Sequence, residues 1–139
     1  MTRTLIVAVL AGGISASAAS ASGGGPSYSD HHCGGAPANW LRQGREFGEL
    51  TVVNRVTVLS TKLLWNGLSV DREELRTMLG RVRKLPVKPA LQLVIDGRAA
   101  CASVSSIREE IDATLNCGAH QKCVEYSKLE LRLLEPPPR

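Results

Sequence analysis

The order of periodic segments between residues 56 and 127 constrains the fold more than any other feature of this sequence. A stretch of alternating apolar residues is followed by a helical pattern, an apolar run, a second helical pattern and a second apolar run. A period of two indicates strands, and a period of 3.6 indicates helices. The resulting order of hairpin, helix, strand, helix and strand predicts a two-layer α+β domain, in which a mixed β-sheet carries two α-helices on one face.

The first predicted helix has a clear start. Asp71 followed by Glu74 matches a capping box, and Val70 is spaced to meet Leu75 as a hydrophobic staple. Asp71 and Glu74 could also be an acid–base pair of carboxylates, but their spacing is the one that capping requires. Pro86 ends the pattern. The predicted buried stripe has the spacing i, i+3, i+4, i+7 and comprises Leu75, Met78, Leu79 and Val82.

The strands are predicted from shorter signals. Residues 49–53 indicate an edge strand, and the alternation of apolar and polar residues at 56–58 indicates a further strand. The dipeptide Asn66-Gly67 is typical of turns that need positive φ, so two antiparallel strands are expected around this region. The almost continuous apolar run of residues 90–95 predicts a central strand.

The second helix should follow this central strand. Ser103 is a candidate N-cap and Gly118 a candidate residue after the C-cap. A right-handed crossover would make residues 123–127 a strand parallel to residues 90–95. A bulge near residue 127 would let an alternating run continue that strand: Leu129, Leu131 and Leu133. The predicted helical stripe is Val104, Ile107, Ile111 and Leu115.

The N-terminus reads as an export signal. Arg3 precedes an apolar run at residues 5–14, and small residues follow it. The run is about half the ~20 residues that a membrane-spanning helix needs, so we expect a cleaved signal peptide at 1–21 and not an anchor. Two cleavage sites of the AxA type compete, one at residues 16–18 and one at residues 19–21. Cleavage after Ala21 is favoured because it leaves the Gly-rich arm as the mature terminus, and it would release the protein into the periplasm.

The remaining segments bound one domain. Residues 22–48 are rich in glycine and polar residues, which predicts a flexible arm and an irregular lead-in that holds Trp40 and Phe47 against the domain. Residues 49–135 form the α+β domain, and residues 136–139 are a proline-rich tail. The net charge is +4, with basic and acidic residues interleaved, which argues against a nucleic-acid-binding surface.

The four cysteines suggest two disulfides in an oxidising compartment. Cys101 and Cys117 lie at opposite ends of the second helix, about 24 Å apart at 1.5 Å per residue, so they cannot be bonded to each other. Cys117 and Cys123 flank a short loop, which favours Cys117–Cys123 and leaves Cys33–Cys101.

Metal binding is the alternative use of these cysteines. One candidate set joins Cys117, His120 and Cys123 to a fourth ligand from the arm. A second candidate set lies within the arm itself: His31, His32 and Cys33. No acid or oxyanion-holding motif accompanies these residues, so we expect no enzymatic activity and no cofactor.

The order of motifs resembles the periplasmic domain of the ExbD/TolR family of biopolymer-transport proteins. The resemblance is carried by VTVLSTKLLWNGLSVDREELRTML at residues 56–79, LQLVIDGRA at residues 91–99, a helix ending in Cys117-Gly118, and KCVEYS at residues 122–127. Members of this family are typically anchored by one membrane helix, whose aspartate works with an ExbB/TolQ-type partner in using the proton gradient. Their periplasmic domains dimerise and contact TonB-like or cell-wall partners.

The resemblance implies a role in protein contacts without the use of the proton gradient. Residues 5–14 contain no acidic residue, so the proton-coupling aspartate has no counterpart here. We therefore expect an exported, non-catalytic interaction module, accessory to a TonB/Tol-type transport system, with a protein partner in the cell envelope and a homodimer through an exposed strand edge. The alternatives are a soluble periplasmic metal-binding protein that uses the Cys/His set, and a secreted hydrolase or inhibitor without a recognisable motif.

Overall fold

The computed structural model of the chain describes residues 25–43 and 51–135. The predicted signal peptide at 1–21, its cleavage site after Ala21, part of the lead-in and the tail at 136–139 lie outside these residues. The elements in chain order are α1 (Tyr28–His31), β1 (Val53–Val58), β2 (Leu63–Trp65), β3 (Leu68–Val70), α2 (Arg72–Lys84), β4 (Ala90–Ile95), α3 (Cys101–Leu115), β5 (Cys123–Ser127) and α4 (Lys128–Leu134). A 3-10 turn, His32–Gly34, follows α1 directly.

The five strands form one mixed sheet in the order β3-β2-β1-β4-β5. β4 pairs in parallel with β1 on one side and with β5 on the other, whereas β1–β2 and β2–β3 are antiparallel. All six residues of β4 are buried, as expected of a strand with both faces and both edges covered. The predicted two-layer α+β fold with a mixed sheet is confirmed.

The two faces of the sheet carry different layers. Leu91, Leu93 and Ile95 of β4 point toward α2 and α3 and belong to the main core. Val94 points the other way, because side chains alternate along a strand, and it packs with Leu131 of α4 in a second, smaller core. The predicted pair of helices therefore shares one face, and α4 covers part of the other face.

The start and the buried face of α2 agree with the sequence analysis. The Glu74 backbone N–H donates to Asp71 Oδ1 at 2.8 Å, and the Asp71 N–H donates to Glu74 Oε2 at 2.8 Å. Leu75, Leu79 and Val82 are buried, and Met78 is half-buried. Asp71 and Glu74 thus act as a capping box and not as an acid–base pair.

Both predicted caps of α3 are wrong. The helix begins at Cys101 after Ala100, two residues before Ser103, and its first N–H donates to the Pro26 carbonyl at 3.0 Å. A carbonyl from the arm therefore satisfies a donor that a side-chain cap would otherwise accept. At the other end, the helix ends at Leu115 and the left-handed Asn116 (φ 53°) is its C-cap, so Gly118 (φ 87°) lies two residues after the cap and not directly after it.

The predicted strand containing Leu129, Leu131 and Leu133 is also wrong, because residues 128–134 form α4. The Glu130 N–H donates to Ser127 Oγ at 3.0 Å, and the Ser127 N–H donates to Glu130 Oε2 at 2.7 Å. This capping box starts a helix in which Leu131 is buried, while Leu129 and Leu133 are 70% and 77% exposed. The predicted bulge is therefore absent, and β5 ends at Ser127.

The hairpin region contains one more strand than predicted. Asn66 and Gly67 have φ of 49° and 86°, which agrees with the predicted turn, and they connect β2 to β3. The predicted edge strand at 49–53 is wrong within the described residues, since Val53 instead begins β1, which lies between β2 and β4. The parallel pairing of β1 with β4 is a long-range contact that local periodicity does not indicate.

Truncating Leu75 tests this core. Leu75→Ala should lower the free energy of unfolding by about 2 to 5 kcal/mol, because it removes a fully buried side chain of α2. Glu73→Ala, at an exposed position of the same helical turn, should change it by less than about 0.5 kcal/mol. Equal losses in denaturant titrations of the two variants would contradict the assignment of the buried face.

Candidate functional site

An ion pair between Arg108 of α3 and Glu125 of β5 lies in the interior. Arg108 Nε donates to Glu125 Oε2 at 2.8 Å and Nη2 donates to Oε1 at 2.6 Å, and the two side chains are only 7% and 4% exposed. The Tyr28 hydroxyl donates to Glu125 Oε1 at 3.0 Å. Burial, together with the Glu125 carboxylate, raises the pKa of Tyr28 well above its ordinary value. Tyr28 is therefore a neutral donor in this cluster.

Arg108 also binds the N-terminal arm, defined here as residues 25–43. Its Nη1 donates to the Cys33 carbonyl at 2.7 Å and its Nη2 donates to the His32 carbonyl at 2.8 Å. His32 and Cys33 have φ of 48° and 50°, a conformation that costs energy for residues other than glycine. The hydrogen bonds from Arg108 and the disulfide between Cys33 and Cys101 stabilise this backbone conformation.

The arm differs from the predicted flexible segment. Tyr28 and Trp40 are buried, and Trp40 Nε1 donates to Asp112 of α3 at 3.0 Å. Gly118 lies so close to the Asn39 carbonyl that a Cβ at this position would clash with it. The Gly-rich composition predicted flexibility, but Tyr28 and the Cys33–Cys101 bond fix this part of the arm against the domain. The burial of Trp40 agrees with the predicted lead-in, which holds Trp40 against the domain.

The structure pairs the cysteines as Cys33–Cys101 and Cys117–Cys123, the connectivity favoured by the sequence analysis. The Cα atoms are 5.2 Å apart in the first pair and 5.6 Å apart in the second. Both proposed metal sets therefore contain cysteines that are oxidised and cannot supply thiolate ligands. In residues 25–43 and 51–135, no cluster of three His, Cys, Asp or Glu side chains is arranged to hold a metal ion.

A groove lies beside α4 on the second face of the sheet, and we call it the open-face groove. Its volume is about 550 Å³. Its rim carries charged side chains from β1 and α4: Arg55, Lys128, Arg132 and Glu135. Its floor is largely apolar and is formed by the outward side of the sheet and the buried side of α4: Val53, Thr57, Leu64, Val94 and Leu131.

Arg55 makes two polar side-chain contacts at this groove, one with Gln92 and one with Glu135. It lies opposite Gln92 in the parallel register of β1 and β4, and its Nε donates to Gln92 Oε1 at 2.8 Å. Its Nη2 pairs with Glu135 Oε1 at 3.1 Å, with 41% and 53% of the two side chains exposed. A buried amide therefore positions the guanidinium, while the far side of the guanidinium faces a carboxylate near solvent.

The other end of the groove contains a second, weaker ion pair. Lys128 Nζ lies 3.8 Å from Asp96 Oδ2. The backbone N–H of Arg98 donates to Asp96 and lowers the pKa of its carboxyl, so Asp96 is charged and partly neutralises Lys128. Arg132 adds another cation to the rim. The chemistry available in the groove is recognition of an anionic, partly apolar group.

Gln92 is a residue of the candidate site that the sequence patterns did not single out. It is the one amide in the apolar run Ala90–Ile95, and it is buried. A buried amide needs a hydrogen-bonding partner, so its presence in a central strand was a readable sign of a polar contact on one face of the sheet. The identity of that partner depends on the pairing of β1 with β4.

The two outer strands of the sheet differ in how they are covered. On β5, the Leu41 N–H donates to the Cys123 carbonyl at 2.8 Å and Gln43 Nε2 donates to the Glu125 carbonyl at 3.0 Å. On β3, the described residues provide pairing on one side only, through β2, and Leu68 is exposed. The arm thus shields β5, and β3 is the exposed edge within the described part of the chain.

Comparison of the chain with protein-family models, curated proteins and solved structures gave no match. The likeness to the ExbD/TolR family therefore rests on the order of motifs alone. Within the two described ranges, no helix has the length and apolar character needed to cross a membrane.

Breaking the buried ion pair should be costly. Arg108→Met should lower the free energy of unfolding by about 3 to 5 kcal/mol, because it leaves the Glu125 carboxylate buried without its cation. Arg98→Met, which removes an exposed partner of Asp96, should cost no more than about 1 kcal/mol. Denaturant midpoints that place the two variants within error of each other would refute the structural role of the cluster.

Removing each disulfide separately should give unequal losses. Cys33–Cys101 joins residues 68 positions apart, so its loss should cost about 4 kcal/mol in the loop-entropy model. Cys117–Cys123 joins residues 6 positions apart and should be worth about 2 to 3 kcal/mol. Thermal unfolding of the two paired Cys→Ala variants measures this difference, and four free thiols with one bound zinc in the isolated protein would instead support the metal alternative.

Proposed function

We propose that this chain is an exported, non-catalytic interaction module of the ExbD/TolR type, accessory to a TonB/Tol-type biopolymer transport system. The observation that carries the proposal is the open-face groove: an apolar floor with a charged rim, on a sheet whose other face is filled by α2 and α3. Apolar surface rimmed by polar groups is typical of surfaces that bind proteins.

The chemistry of the described polar groups supports a non-catalytic role. The buried Arg108, Glu125 and Tyr28 side chains bind one another and the arm, which leaves their hydrogen-bonding groups occupied by structural contacts. In the open-face groove, the charged groups are three cations and Glu135, and Glu135 is engaged by Arg55. A positioned nucleophile with its own general base is the feature that an enzyme of the hydrolase class would require.

Two features support export to the periplasm. Residues 1–21 have the pattern of a signal peptide, and the described domain contains two disulfides. Disulfides of small domains form and persist in oxidising compartments such as the periplasm.

The order of hairpin, helix, strand, helix and strand matches the order on which the ExbD/TolR resemblance rests. The exposed edge of β3 is the surface on which we place pairing with a second copy.

Site-specific photo-cross-linking in cells that export the protein tests this function. A cross-linker at position 132, on the rim of the open-face groove, should give a discrete adduct with a protein of the TonB/ExbB type. The matched control is position 81, an exposed arginine of α2 at which no adduct is expected. Mass spectrometry of the adducts identifies the partner.

Two outcomes would refute the proposal. Adducts of equal yield at positions 81 and 132 would show that the open face is not a preferred contact surface. Recovery of the protein from the membrane fraction with Met1 retained would contradict the exported module and restore an anchored protein.

A further inference from the structure

The chain places one of its own carboxylates in the open-face groove. Glu135 directly follows α4, and its Oε1 lies 3.1 Å from Arg55 Nη2. We propose that the groove binds an extended partner segment that combines acidic and apolar side chains, and that one carboxylate of this segment replaces Glu135 on Arg55. This inference rests on the proposed function, since it names the chemistry of the partner for that same surface.

The guanidinium of Arg55 is held in position before a carboxylate ligand binds. Its Nε is fixed by Gln92, which is buried on the neighbouring strand. A guanidinium held at one end loses less side-chain freedom when it binds, and its remaining N–H groups match the geometry of a carboxylate. The observed bond to Glu135 shows that a carboxylate fits the position.

The bond to Glu135 is of the kind that a partner can replace. Both side chains are about half exposed, at 41% and 53%, and exposed ion pairs contribute little to stability because water competes for both charges. A partner carboxylate that arrives with apolar contacts can therefore displace Glu135 at a small cost. Displacement also frees the end of α4 without breaking its N-terminal capping box.

The charge of the rim favours an acidic partner. Once Glu135 leaves, Arg55, Lys128 and Arg132 remain on the rim, and Asp96 offsets only Lys128. A cationic rim attracts acidic segments and repels basic ones, which fixes the sign of the partner's charge.

The floor of the groove adds the apolar requirement. Val94 and Leu131 meet beneath the rim, and the floor continues along β1 to Val53. β1 has six residues, so an extended segment of about the same length, near 20 Å at 3.3 Å per residue, can lie along it. Alternation of apolar and acidic side chains would place one set on the floor and the other on the rim.

A direct binding test uses a fluorescein-labelled octapeptide of alternating valine and glutamate, titrated with the exported protein and followed by fluorescence anisotropy. Arg55→Gln should weaken binding about tenfold or more, because it removes a charge-assisted hydrogen bond to the peptide. Glu135→Gln should strengthen binding severalfold, because it removes the internal competitor. Arg81→Gln, on the opposite layer, should leave the affinity unchanged.

The opposite signs of the two groove variants separate recognition from misfolding. A general loss of folding would not give opposite changes of affinity in the two variants, and denaturant midpoints of all variants check that they remain folded. Weaker or unchanged binding in Glu135→Gln would overturn the proposal, and so would equal binding of a valine–lysine octapeptide. Peptide binding that is lost only when the chain dimerises would assign the groove to a second copy and would also overturn it.

The peptide test can refute the acidic segment without refuting the proposed function. If the peptide does not bind while position 132 still gives a TonB/ExbB-type adduct in cells, the acidic segment is wrong and the interaction module stands. If neither is observed, both the partner chemistry and the function are refuted.

Discussion

The buried guanidinium of Arg108 is the interaction on which the rest of the structure depends. It binds Glu125 of β5 through two nitrogen atoms and binds the carbonyls of His32 and Cys33 in the arm. Burying a charged pair costs several kcal/mol per ion unless the polar atoms are paired, and here α3, β5 and the arm supply the partners. The cluster joins three segments distant in sequence and holds the arm against β5.

Local signals were enough for much of the fold. The bounds of β4, the capping box of α2 and the apolar stripes of both long helices follow from residues within one or two turns of each other. The errors arose where distant residues decide the local structure. Pro26 accepts the first N–H of α3, so Ser103 has no capping role, and Asn39 packs on Gly118. α4 is a different case, because Ser127 and Glu130 form a readable capping box that the alternation of leucines concealed.

The candidate site was less predictable than the fold. Arg55, Gln92 and Glu135 belong to β1, β4 and the end of α4, and only the parallel pairing of β1 with β4 brings the first two together. Glu135 was predicted to follow a strand, which would have placed its carboxylate elsewhere. Gln92 within an apolar run was the one local indication of a polar contact. The cysteine pairs, in contrast, could be predicted from loop length and helix geometry alone.

We propose that the helix-covered face holds the domain together and that the open face is the surface for contact. A crystal structure of the chain with the acidic octapeptide tests this most directly. We predict the peptide along β1 and α4, with one of its carboxylates within hydrogen-bonding distance of Arg55 and with Glu135 turned away. A peptide bound on α2 and α3, with Glu135 still on Arg55, would contradict the account.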